Sequence, residues 1–147
     1  MAGMLDLTNH IIAVANKKGL DITNLQLQKI SFFIFGFIVA ERGRQVAEGI
    51  YDLDFHRWSY GPVIEEVYFR YNHFGGRPII DTDAEEHEMF SQFSERIEQL
   101  LKVDPFKLVE LTHRLPSWAR FKDDINKRNY IPPYEIKEFE KEFRANE

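Results

Sequence analysis

Five histidines (His10, His56, His73, His87 and His113) are the side chains of this sequence best suited to proton transfer or metal ligation. No two have the spacing that would set them side by side on one helix face as ligands. His87 lies among Glu85, Glu86 and Glu88, but an exposed acidic stretch collects a cation weakly and without defined geometry. No metal or cofactor is expected. His56 and His113 each adjoin a tryptophan-bearing motif, and with Glu66 they would make an acid-base set only if folding gathered all three in one pocket. Otherwise each histidine has a hydrogen-bonded structural role. There is no glycine-rich phosphate loop, because Gly75-Gly76 is placed to end a helix and not to open one. With no nucleophile beside a base, the chain reads as a binding domain; a hydrolase or transferase using His56, His113 and Glu66 is the alternative.

The run Trp58-Ser59-Tyr60-Gly61-Pro62-Val63 is the most informative stretch. Gly61 and Pro62 stop one element, and the fixed φ of proline suits a first helical turn, so a helix is expected over 62–74. Trp58 and Tyr60 then stand at a rigid corner. With Trp118 they are either core residues or rigid apolar anchors for a partner. Phe69 falls off the buried stripe of that helix, so it is either covered by another part of the fold or a contact residue. The candidate partner-binding set is therefore Trp58, Tyr60, Gly61, Pro62, Phe69, His113 and Trp118.

These residues need a scaffold, and the periodicity supplies helices. Leu7, Ile11, Val14 and Ala15 form one stripe closed by Gly19, and Thr23 caps a second helix over 24–42. The later half of that second helix is apolar on every side, so it must be surrounded, and Gly36 permits a close neighbour. Residues 49–58 suggest an extended connection or short strand, with 77–80 as its partner. An acidic helix is expected from Asp83, carrying Met89, Phe90, Phe93, Ile97, Leu100 and Leu101 inward. Asp104-Pro105 opens another, Trp118, Phe121 and Ile125 are spaced like a further one, and Ile136, Phe139 and Phe143 mark the last. The expected fold is mainly α: one compact multi-helix domain around a buried central helix, with at most a short two-stranded β element.

At 147 residues the chain can bury roughly 70 % of its unfolded surface, so no staple is required. It has no cysteine, which excludes disulfides and suits a reducing compartment. The apolar run at 30–40 is too short to span a bilayer and no basic-then-apolar leader opens the chain, so a cytoplasmic protein without membrane contact is expected. The net charge is −5. Residues 81–99 hold seven acids against Arg96 alone and account for all of it, either as a solvated flank or as an attraction for a basic partner. A nucleic-acid regulator is the lesser alternative: Arg114, Arg120, Lys122, Lys127 and Arg128 are basic, but Asp123 and Asp124 dilute them.

Three blocks in order carry a resemblance: Thr23-Asn24-Leu25-Gln26-Leu27-Gln28-Lys29 leading into an aromatic helix, Trp58 to Val63 followed by Tyr68, and Leu111-Thr112-His113 with Pro116-Ser117-Trp118. Together they resemble the Panacea domain family, phage-associated and bacterial proteins recognised as antitoxins of toxin-antitoxin pairs. The likeness covers about 11–118; the charged extension 119–147 has no such signature. Where family members often carry an acid between the third block's two halves, this chain has Arg114 and Leu115. The resemblance implies a mostly helical domain that neutralises a co-encoded protein toxin by holding it. It leaves open which toxin, whether by occlusion or delivery to a protease, and whether the chain forms a homo-oligomer.

Overall fold

A computed structural model describes residues 2–144. The first helix, α1 (Met4–Lys18), is followed by α2 (Asn24–Arg42), whose cap is reciprocal: Gln26 N–H donates to Thr23 Oγ1, and Thr23 N–H donates to Gln26 Oε1. α2 is the central element, packed against α1 and most later elements, as its all-round apolar sequence requires. Its aromatic side carries Phe32 and Phe35 into rings from Tyr51, Phe55, Tyr134 and Phe139, with Phe32 edge-on to Phe55 and to Tyr134. A Cβ at Gly36 would overlap the Phe143 ring, so the glycine lets Phe143 pack closely across α2.

α3 (Arg44–Ile50) follows at once, a short helix where no element was expected over 44–48 and where 49–50 were expected to be extended. Next come β1 (Phe55–Trp58) and β2 (Gly61–Ile64), an antiparallel hairpin in which Phe55 faces Ile64 and Trp58 faces Gly61. Two expectations fail here. Pro62 does not open a helix, and the partner of the first strand is not 77–80 but the residues directly after the turn.

The reason is local chemistry on both edges of β2. A two-residue loop, Ser59-Tyr60, closes on the hydrogen-bonded pair Trp58 and Gly61, which makes the next pair, Arg57 and Pro62, non-hydrogen-bonded. Proline's missing N–H therefore costs nothing in the ladder. The helix begins only at Glu65 (α4, Glu65–Tyr71), and a 3-10 turn over Asn72–Phe74 extends it. Residues 77–80 are instead held by Ile79 N–H donating to the Ile22 carbonyl.

The acidic segment also departs from expectation: no helix starts at Asp83. Its backbone and side chains are taken by tertiary partners, with Tyr71 Oη donating to Asp81, Asn16 Nδ2 to the Asp81 carbonyl and His87 N–H to His10 Nδ1. Regular structure resumes with a 3-10 turn over Glu88–Phe93 and α5 (Ser94–Leu101), which packs on α1. α6 (Pro105–Arg114) starts as expected, with Asp104 accepting from Phe106 N–H. The expected single helix through Trp118 and Ile125 is broken into α7 (Pro116–Ala119) and α8 (Lys122–Asn126), and α9 (Ile136–Glu142) closes the described chain. The architecture is mainly α with one short two-stranded antiparallel element. No helix among the described residues is long and apolar enough to cross a membrane.

Candidate functional site

The three sequence blocks, distant in the chain, meet at the hairpin. From α2, Gln28 serves as a third strand: its Oε1 accepts from Ile64 N–H at 2.8 Å and its Nε2 donates to the Ile64 carbonyl at 3.4 Å. Lys29 follows, with Nζ donating to the Pro62 carbonyl at 2.6 Å. That carbonyl points away from β1 because Pro62 sits at a non-hydrogen-bonded position, so the lysine reaches it unopposed. α2 thus holds the open edge of β2 by two successive side chains.

From α6 and α7 the third block holds the other end. Trp118 Nε1 donates to the Trp58 carbonyl at 2.9 Å, and the His113 ring stacks on Trp118 with centroids 3.7 Å apart. Gly61 has φ +105°, and a Cβ there would stand 2.5 Å from Thr112 Oγ1 and 3.1 Å from Lys29 Cε. Only glycine lets the hairpin, Thr112 and Lys29 approach so closely. Arg57 ties in the C-terminal extension: its Nε donates to the Ser117 carbonyl and one Nη to the Pro132 carbonyl, each at 2.6 Å, while the other pairs with Glu138. The guanidinium lies between the Phe121 and Tyr134 rings, 4.3 and 4.1 Å from their centroids.

Beside the hairpin opens a cleft of about 630 Å³. Trp58, Tyr60 and Tyr68 form its aromatic wall, Ile125, Arg128 and Asn129 line it from the C-terminal extension, and Lys29 and Gln28 lie beneath its floor. The Trp58 ring is edge-on to Tyr68 at 5.0 Å and touches Phe69 at 6.4 Å, and Trp58 Nε1 donates to Glu65 Oε2. Tyr60 is 64 % exposed and Phe69 61 %. The apolar surface therefore runs past the cleft's edge.

Two titratable groups at this place are perturbed by burial. Lys29, with no exposed surface, is brought down from the ordinary lysine value to about 7. His113 is held below the usual imidazole range, chiefly by burial, although the nearby Ser59 backbone favours its charged form. Its Nε2 is buried without a hydrogen-bond partner among the described residues.

The candidate residues divide clearly. Trp58, Tyr60 and Phe69 are reachable from solvent and lie together. Gly61, Pro62 and Trp118 are buried, so they build the site and present no side chain to a partner; His113 backs Trp118. His56 lies 3.9 Å from Glu65, and no hydrogen bond or ion pair among the described residues joins His56, His113 and Glu66 to one another. Of the C-terminal basic residues, Arg114 pairs with Glu110 and Arg120 with Glu138.

The sequence does not mark Arg57 at all, names Lys29 only as the end of the first block, and offers Arg128 only for the nucleic-acid alternative. A lone cation inside an all-round apolar helix is the signal that marks Lys29 as buried and partnered. Arg57 and Arg128 carry no such local signal. Comparison with protein-family models, with curated proteins and with solved structures finds no match for this chain.

Proposed function

We propose that the chain is an antitoxin-like protein of the kind its resemblance to the Panacea domain implies, one that neutralises a co-encoded protein toxin in the cytoplasm by binding it directly. The observation that carries this reading is an aromatic cluster of Trp58 and Tyr60 from the hairpin with Tyr68 and Phe69 from α4, half-buried at Trp58 and Tyr68 and exposed at Tyr60 and Phe69, beside a hairpin that α2, α6 and α7 hold from two sides. Tryptophan and tyrosine dominate interface energies when they stand on a rigid support, because little side-chain freedom is lost on binding. The polar groups beneath the cleft are engaged with the backbone of the hairpin, which suits a docking surface better than a reaction centre.

Expression of the neighbouring reading frame alone and together with this chain tests the proposal. The neighbour is expected to arrest growth alone and to be harmless with this chain present. The double variant Tyr60→Ala with Phe69→Ala removes only exposed rings, so it is expected to keep its melting temperature within about 2 °C while neutralisation falls at least about tenfold. Full protection by that folded variant would contradict the proposal.

A further inference from the structure

The cleft has a charge character that the chain as a whole lacks. Two arginines line it (Arg57 and Arg128) with Lys29, whose buried amine titrates at about 7, beneath them, and no carboxylate lines it, in a chain of net charge −5. None of the acids of 81–99 reaches it. Two of these three basic side chains are buried and engaged, Lys29 with the Pro62 carbonyl and Arg57 with Glu138. Arg128 differs. Its backbone sits in the left-handed region at φ 59°, its side chain is exposed, and its guanidinium has no hydrogen-bond or ion-pair partner among the described residues. The left-handed turn is a local helix ending: Arg128 N–H donates to the Ile125 carbonyl at 3.1 Å and Asn129 N–H to the Asp124 carbonyl at 2.9 Å, just past α8.

Polarity is arranged by depth. The amides of Asn24 and Gln28 in the floor are satisfied by Tyr68, Ile64 and each other, so they have little left for a ligand. The open donors, Arg128 and the exposed Ser59 and Tyr60, stand at the mouth. An apolar centre with a polar rim is the anatomy of a protein interface; a small-molecule pocket places its orienting groups inside. Phe69, outside the cleft but touching Trp58, extends the apolar area beyond what a small ligand would cover.

We propose that the cleft seats an acidic, apolar segment of the partner protein, which inserts an aromatic or aliphatic side chain beside Trp58, Tyr60 and Tyr68 and sets an Asp or Glu carboxylate against Arg128. This rests on the protein-binding reading and specifies its chemistry. The partner surface at this cleft is negative, so the acidic flank of 81–99 is not the part that meets it.

The test pans a library of random twelve-residue peptides on the full chain and measures the selected peptides by fluorescence anisotropy. Enriched sequences are expected to place Asp or Glu within two positions of a large apolar residue. Their affinity is expected to fall about tenfold or more for Arg128→Glu and for Tyr60→Ala, and less than about twofold for Lys127→Glu, which makes the same charge change on an exposed neighbour outside the cleft. Enrichment of basic peptides, no enrichment at all, or indifference to Arg128→Glu would overturn the inference. Because no toxin is used, the outcome is separate from that of neutralisation: acidic peptides can bind the cleft of a chain that protects against nothing, and a chain that protects can fail to bind them.

Discussion

Lys29 is where residue-scale chemistry is most exposed to measurement. Its amine titrates at about 7 in the folded chain because burial disfavours the charged form, against an ordinary 10.5. Between those values the unfolded chain holds a proton that the folded chain lacks, so the free energy of unfolding rises with pH from about 7 toward 10. Above that, Tyr51, Tyr71 and Tyr134, all raised by burial, keep protons that the unfolded chain sheds, and stability falls again. Urea unfolding across this range is expected to show the rise in the native chain and a flattened slope in Lys29→Met. An unchanged slope in the variant would show that the amine is not the group responsible.

At the scale of elements, the hairpin depends on glycine and glutamine more than on its own strands. Gly61→Ala meets both a left-handed φ and a Cβ contact at 2.5 Å with Thr112 Oγ1, a buried hydroxyl that is itself committed to the Val109 carbonyl. Gln28→Met leaves the N–H of Ile64 unpaired in the interior, while the Ile64 carbonyl keeps its place as the N-cap acceptor of α4. Each substitution is expected to cost about 2 kcal/mol or more, read as a lower denaturation midpoint at unchanged slope. A loss under about 0.5 kcal/mol in both would mean that the strands hold themselves. These two residues also explain what the sequence does and does not disclose. α1, α2, α6 and α9 are legible because their caps and stripes are local. The hairpin reads as a helix start because Pro62 is satisfactory in either setting, and the deciding partners, Gln28 and Lys29, lie more than thirty positions away. Likewise the acidic stretch has helical composition, but its hydrogen bonds go to α1 and α4. Of the candidate site, the accessible aromatics are legible as a motif; Arg57 and Arg128 are not, since their roles exist only once the C-terminal extension folds back on the hairpin.

For the whole molecule, the central claim is that α2 and the third block fix the hairpin so that an aromatic, carboxylate-free cleft is offered to another protein while the acidic flank stays outside it. The three blocks divide the labour between them. Thr23 to Lys29 holds one edge of the hairpin, Thr112 to Trp118 backs the turn, and Trp58 to Tyr60 with Tyr68 and Phe69 makes up the aromatic surface proposed to meet the partner. The exposed ring of Phe106 provides an internal reference because it is as open as Tyr60 and Phe69 and lies outside the cleft. The most direct measurement is hydroxyl-radical footprinting of the chain with and without its co-expressed partner. The account predicts strong protection at Trp58, Tyr60, Tyr68 and Phe69 with Phe106 unchanged; protection centred on Phe106 or on the acidic 81–99 stretch, with the cleft rings still fully reactive, would contradict it.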